Sequence, residues 1–416
     1  MKFGSTTQYP WFMLASIYVT QYIGIAFILS AAVAILRQQG VALDKLALLN
    51  LAVLPLMGKV FYAPLIDKYR LSLQGKYRSW LIIAQASMTL LLVIAGAMDF
   101  ENQFTWIIVI LTFYVFSLSV QDVAIDGLSC KLFAPDARKL ASSVQFSGNL
   151  LGNIIGGGLI LMFYPWLEWH GSLWLLAALT SISLIQMVLF NEPEESMDNQ
   201  PQQEEHKHLL RGIKDFIKQN KHWFVIMALY PIGSTCGFAL LTPLLVDGGW
   251  QFGDIGFVMK IFGSAVGLIS ALLATPLISR IGQVNALISA LFVQVFALAL
   301  IIPLTLGFTE KPMVYAAITV HFISFPALLV ISSTIIMDKA AQTIHKATFF
   351  TLQFSFASLL GFAYSAISMT IAKHIGYSTV VIAGVVLTLG IALFICFLLK
   401  RKSIISIPIH NVIPKH

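Results

Sequence analysis

Lys59, in LPLMGKVFYAPLIDK, and Lys260, in GFVMKIFG, carry positive charge into runs of apolar residues, and Asp122 and Asp126 carry negative charge into SVQDVAIDGLSCK. If those runs lie in lipid, each unpaired charge at mid-depth costs ~2.5–3.5 kcal/mol on insertion scales, so such residues mark pairs or solute sites. Lys59 precedes Asp67 by eight residues, which is about 12 Å of helix. That depth is awkward for snorkelling and favours a cavity-facing cation, either paired or touching an anionic solute. Lys260 stands nearer a helix end, where snorkelling competes more strongly. Asp122 and Asp126 are spaced i, i+4 and share a helix face. Two acids in a low-dielectric site oppose each other's ionisation, which suits them to taking up a proton. Asp122, one turn deeper, is the better proton-coupling candidate. Asp126 either couples or pairs with a basic residue of a nearby loop.

Uncharged polar residues form a second set. Gln145 and Asn149 share a face, as do Asn149 and Asn153, and Gln353 with Ser355 occupies a similar stretch later in the chain. Together with Gln21, Tyr22, Lys59 and Lys260 these are candidate pathway residues; the alternative for each amide is an interhelical hydrogen bond. Tyr18, Tyr22 and Phe27 offer rings for stacking, and His321 is a weaker proton candidate. Gly148, Gly152, Gly156, Gly157 and Gly158 allow close approach or a bend. Asp67, with Lys68, Arg70, Gly75, Lys76 and Arg78, forms a charged turn whose carboxylate can latch onto arginines or a neighbouring helix end. Asp67, Arg78 and Asp338 are therefore the candidate gating residues. No HExxH, GxSxG or clustered histidines occur, so no enzyme constellation is visible. Cys130, Cys236 and Cys396 lack metal-ligand spacing and read as small buried residues. No metal site and no cofactor are expected.

The elements that must position these residues are spanning helices. The chain has 416 residues, 58% hydrophobic and only 11% charged, with a mean hydropathy of +0.83, which requires lipid as part of the solvent. Its 26 basic and 19 acidic residues sit in short connectors, not in a domain that could hold nucleic acid. A span needs roughly 20 apolar residues. Such segments fall near 11–36, 46–66, 79–98, 103–130, 138–164, 171–190, 222–246, 252–278, 283–303, 313–337, 345–372 and 376–399. The first run ends in no cleavage pattern and is read as a helix, not a removed signal. The expected architecture is all-α: an N-terminal six-helix bundle over 1–190, a linker over 191–221, a C-terminal bundle over 222–400 and a tail over 401–416. The linker is acidic and glutamine-rich from Glu192, then basic at Arg211, Lys214, Lys218 and Lys221. Its first part is read as disordered and its second as an amphipathic helix on the membrane surface.

Lysine and arginine set the orientation. With both termini inside, nearly all of them fall on the inner side, and the outer loops receive only Arg37, Lys45, Lys311 and Lys373. The halves also echo each other. APLIDK at 63–68 returns as TPLISR at 275–280, Asp126 as Asp338, and VQFSGNLLG at 144–152 as LQFSFASLL at 352–360. Internal symmetry of this kind is the mark of a transporter whose two bundles rock about a central site.

GKVFYAPLIDKY and GKYRSW, within 58–80, resemble the helix 2–3 signature of the major facilitator superfamily, although Tyr77 interrupts the usual basic cluster and the loop is longer than standard. PLMGKVFYAPLIDKYR and QDVAIDGLSCKLFAPDARKLASSVQFSGNLLGNIIGGG look like its AmpG-like branch, which includes muropeptide permeases, acetyl-CoA transporters and the RhtX/FptX siderophore importers. The QDVAIDGLS stretch, Arg-Ser-Trp at 78–80 and the end of the chain after helix twelve are most like the siderophore importers. The resemblance implies the major facilitator fold of twelve helices in two pseudo-symmetric bundles. It also implies a multi-pass permease of a bacterial inner membrane, with the monomer as functional unit, importing a free or iron-loaded siderophore by proton symport. A muropeptide or another anionic solute is the alternative cargo. With no Walker sequence present, uphill transport must draw on an ion gradient or an external partner.

Overall fold

The computed structural model describes residues 10–33, 35, 52–71, 75–193 and 209–401; these form helices joined by short connectors, with no strand among them. Among the described residues nine helices are long and apolar enough to cross a membrane. Two of them, at 55 and 53 residues, would each extend about 80 Å if straight. They break instead, at Glu168 (φ 51°) and Gly282 (φ 79°), and each supplies two spans.

The elements are thus α1 (Trp11–Ala31), α2 (Lys59–Lys68), α3 (Lys76–Ala97), α4 (Phe100–Leu132), α5 (135–167) and α6 (169–189). After the connecting helix Leu209–Gln219 come α7 (Lys221–Asp247), α8 (252–281), α9 (283–305), α10 (Lys311–Ala341), α11 (Lys346–Ile375) and α12 (Tyr377–Arg401). A turn of helix, Leu54–Met57, precedes α2. The first part of the expected second span, most of the linker and the tail from 402 lie outside the described residues, as do Arg37 and Lys45 of the orientation argument. Gly75 (φ 89°) before α3 and Gly282 before α9 occupy corresponding turns of the two halves. Both need the left-handed backbone that glycine tolerates, and they follow the APLIDK and TPLISR stretches by seven and two residues.

Three apolar clusters organise the molecule. One lies within the N-terminal half, around Ile23, Phe27, Met88, Tyr114 and Trp169, and one within the C-terminal half, around Leu241, Val258, Ile301 and Ile318. The third runs through both halves: Met13, Ala63, Val123 and Phe133 share it with Ile331, Met337 and Phe350. The halves are therefore fused at the end that carries Lys68, Arg70, Lys131, Arg138 and Lys346, the basic end.

Within the N-terminal half α1 lies tight against α5. Gly148, Gly152 and Gly156 recur every four residues and face the α1 backbone between Tyr18 and Ile23; a Cβ on Gly152 would sit 2.6 Å from the Val19 carbonyl oxygen. Small residues at this spacing are what let two membrane helices touch. Gly157 and Gly158 fall in a π-helical stretch, Ile154–Leu159, and α1 and α8 carry similar stretches at Phe27–Ala31 and Phe257–Phe262. Close approach and backbone irregularity thus both occur along these glycines, and they meet at Gly156.

Candidate functional site

Of the four charges placed in the membrane interior, Lys59 and Asp122 form an ion pair, Asp126 lies beside them with neutral partners, and Lys260 stands apart. Lys59, on the first turn of α2, places Nζ 2.5 Å from Asp122 Oδ2 on α4. Gln21 Nε2, on α1, donates to the other oxygen of Asp122 at 2.5 Å. Asp126, one turn on, accepts instead from Tyr18 Oη and from Gln145 Nε2, each at 3.0 Å. The i, i+4 acids thus share a face as expected, yet each has its own partners. All six side chains are buried, where a charge left without a partner would be costly.

This network reaches the other half in two places. Ser333 on α10 donates to Gln145 Oε1 at 3.0 Å, and the Lys59 ammonium lies 4.9 Å from the centre of the Phe354 ring on α11, within cation–π range.

Beyond Phe354 opens a cavity of about 590 Å³ between the halves. Its walls are largely aromatic, with Tyr22, Phe146, Tyr230, Phe238, Phe322, Phe325 and Phe354; polar groups enter from Asn149, Asn153, Ser234, Thr235 and Lys260. Lys260 has no hydrogen-bond or ion-pair partner among the described residues, and Asn149 Oδ1 is buried with no partner. His321 is stacked at 4.5 Å on Phe238, behind this wall.

Of the nine pathway candidates, Tyr22, Asn149, Asn153 and Lys260 line the cavity, whereas Gln21, Lys59, Gln145, Gln353 and Ser355 do not. Gln21 and Gln145 serve the two acids. Gln353 accepts from Trp223 Nε1 at 3.0 Å and donates to the Phe349 carbonyl at 2.8 Å, a helix-to-helix brace. The two lysines exchange the emphasis that depth alone gave them: the deeper Lys59 is neutralised by Asp122, and Lys260, the better snorkelling candidate by sequence, faces the cavity.

The basic end is closed by polar contacts across the halves. Asp67, at the last turn of α2, accepts from the backbone N–H of Thr348 at 2.6 Å, from its hydroxyl at 2.7 Å and from the N–H of Ala347 at 3.3 Å. It thereby caps the N-terminus of α11, where free N–H groups and the helix dipole favour a carboxylate. Tyr77 donates to it at 2.6 Å and Lys76 stands 3.8 Å away. Arg138, on the first turn of α5, reaches Asp338 at the inner end of α10 at 2.9 Å, and Gln283 donates to the second oxygen at 2.8 Å. Asp338, the sequence echo of Asp126, therefore has a different role: it bonds across the halves.

The Arg78 guanidinium donates to the carbonyls of Met187 and Val188, tying α3 to α6 inside one half. Glu192, read as the start of a disordered linker, is buried; it pairs with Lys131 at 2.7 Å and accepts from the Arg78 N–H at 2.8 Å. Arg138 entered the sequence reading only as a topology marker. Its position after Pro135, at a helix N1 site, was the available signal that it would lie at a helix mouth.

Residues 10–362 match the Major Facilitator Superfamily. The anhydromuropeptide permease of Escherichia coli K12 is 26% identical over 234 residues, 55% of this chain and 47% of that protein, so this chain spans about half the length of that relative. A putative transporter AmpG 4 of Rickettsia conorii is 24% identical over 263 residues, 61% and 64% of the two chains. A putative transporter AmpG 3 of Rickettsia typhi is 22% identical over 378 residues, 87% and 89%. Among solved structures, FucP in the outward conformation superposes with a TM-score of 0.68 at 16% identity, covering 94% of this chain and 98% of that one. The human organic anion transporter MFSD10 gives 0.68 at 13% identity, covering 93% and 100%. At those identities the likeness is one of fold. A match over most of its length, a two-lobed helical fold and a cavity between the lobes make this chain a member of the Major Facilitator Superfamily.

Proposed function

We propose that this chain is a proton-coupled permease of a bacterial inner membrane that imports an anionic, amphipathic solute of the muropeptide class. The observation that carries the proposal is the cavity between the halves, where an exposed, unpartnered Lys260 and the buried, unpartnered carbonyl of Asn149 join largely aromatic walls. A cargo with a carboxylate, amide or hydroxyl donors and a face that packs on rings answers each of those features. Its volume is typical of a small-ligand pocket. The relatives named AmpG and the anhydromuropeptide permease support this cargo over the siderophore favoured by the sequence reading. The siderophore reading rests on the QDVAIDGLS and Arg-Ser-Trp stretches and shares the need for a cation.

In this account the basic end faces the cytoplasm with both termini, and the contacts of Asp67 and Asp338 close it while the cavity accepts solute from the periplasm. A proton taken up by Asp122 cancels the charge that holds Lys59, while its carbonyl oxygen still accepts from Gln21. The ammonium then loses its neutralising partner beside Phe354, the ring that also lines the cavity, and the packing between the halves is re-set.

Uptake into proteoliposomes under an inward proton gradient tests this. A labelled anhydromuropeptide and a labelled ferric siderophore are offered in parallel. Gradient-dependent accumulation of the muropeptide is expected; accumulation of the siderophore alone would replace the cargo assignment, and accumulation of neither would reject both.

A further inference from the structure

The connecting helix Leu209–Gln219 packs on the C-terminal half through one side and leaves the other bare. Its packed side is Phe216, buried, with its ring 4.5 Å from that of Phe349 and edge-on to Phe224 at 6.3 Å. Its bare side carries Leu210, 84% exposed, and Ile217 one heptad on, interleaved with exposed Lys214 and Lys218 and flanked by Arg211 and Lys221. Asp215 is the one acid within the helix. Large apolar side chains set among lysines are the composition of a helix lying in the headgroup layer, and α7 enters the bundle directly after it.

The packed side meets the contacts that close the basic end. Phe349 follows Thr348, whose N–H and hydroxyl hold Asp67. Asn220, just past the connecting helix, accepts from Lys339 Nζ at 2.9 Å, and Lys339 follows Asp338, the partner of Arg138. The helix is thus anchored to the neighbours of both closing contacts.

We propose that the bare face of this helix binds the anionic phospholipid headgroups of the adjoining leaflet, and that this attachment, passed through Phe216 to Phe349, holds the basic end closed. Lipid charge then sets how readily the halves separate there. The choice of a leaflet over a soluble acidic partner rests on Leu210 and Ile217, which a headgroup layer buries alongside the lysines.

The test uses the full chain in nanodiscs of phosphatidylcholine alone or mixed with phosphatidylglycerol, with hydrogen exchange read at residues 209–219 and 346–352. Both segments exchange more slowly in the anionic discs if the proposal holds. Each basic residue near an anionic surface strengthens attachment about fivefold. The combined Arg211→Gln, Lys214→Gln and Lys218→Gln variant should therefore lose up to about a hundredfold in attachment, and its lipid dependence with it. Phe216→Ala keeps the effect at 209–219 and loses it at 346–352. Equal exchange in both discs, or a lipid effect that survives the three glutamines, overturns the proposal. So does protection in neutral discs that disappears with Glu204→Gln and Glu205→Gln, because the chain's own acidic segment would then be the occupant.

Discussion

Asp338→Asn removes the charge that holds Arg138 while keeping an acceptor for Gln283, which bonds the other oxygen at 2.8 Å. The pair spans the two halves, and its side chains are 11% and 6% exposed, so the arginine left behind is an uncompensated, nearly buried charge. Breaking such a pair costs about 3 kcal/mol at the lower end of measured values. If the pair exists only with the basic end closed, the whole cost falls on that state, and about 3 kcal/mol moves the closed-to-open ratio by about a hundredfold. Spin labels at Asp136 and Gln342, exposed positions at the basic end of opposite halves, read this by pulsed dipolar spectroscopy. A longer-distance population should grow in Asp338→Asn and shrink again when Arg138→Gln removes the orphaned charge as well. An unchanged distance distribution accompanied by a lower melting temperature would refute the reasoning, because the pair would then support the fold in every conformation.

Gly156→Ala puts a methyl against the Ile23 backbone of α1. Overpacking of this kind costs typically 1–3 kcal/mol, so a lower melting temperature in detergent is expected, whereas Gly212→Ala, with open space around it, should be neutral. Gln353→Leu breaks the bond to Trp223 and should cost about 1–3 kcal/mol of stability for the indole N–H left buried, with no change in the KM for cargo. A raised KM would return Gln353 to the pathway.

The placement of charge was legible in the sequence because lipid penalises it so strongly: Lys59, Asp122 and Asp126 were singled out by depth alone, and all three are buried in one polar network. A close approach by α5 was legible from glycines every four residues, but not that its neighbour would be α1. The pairing of Arg138 with Asp338 was not, because 200 positions separate residues that only the packing of the halves brings together. Sequence symmetry also overstated chemical symmetry. Gln145 and Gln353 occupy echoing positions, but Gln145 finds Asp126 beside it and Gln353 finds the Trp223 indole, so one joins the charged network and the other braces two helices. Glu192 misled for a local reason: the acidic run that follows it reads as linker, while Lys131 and the N-terminus of α3 hold this one carboxylate in place.

The central claim is that Lys260 receives the cargo and the Lys59–Asp122 pair couples its movement to protons. Transport in Lys260→Gln and Asp122→Asn, measured side by side as proton-driven accumulation and as gradient-free counterflow, tests it most directly. Lys260→Gln should weaken the apparent affinity about 10- to 100-fold, the worth of one charge-assisted hydrogen bond, in both assays and leave accumulation responsive to the gradient. Asp122→Asn should keep counterflow and lose accumulation. Equal losses in both assays for both variants, or wild-type affinity in Lys260→Gln, would contradict the account.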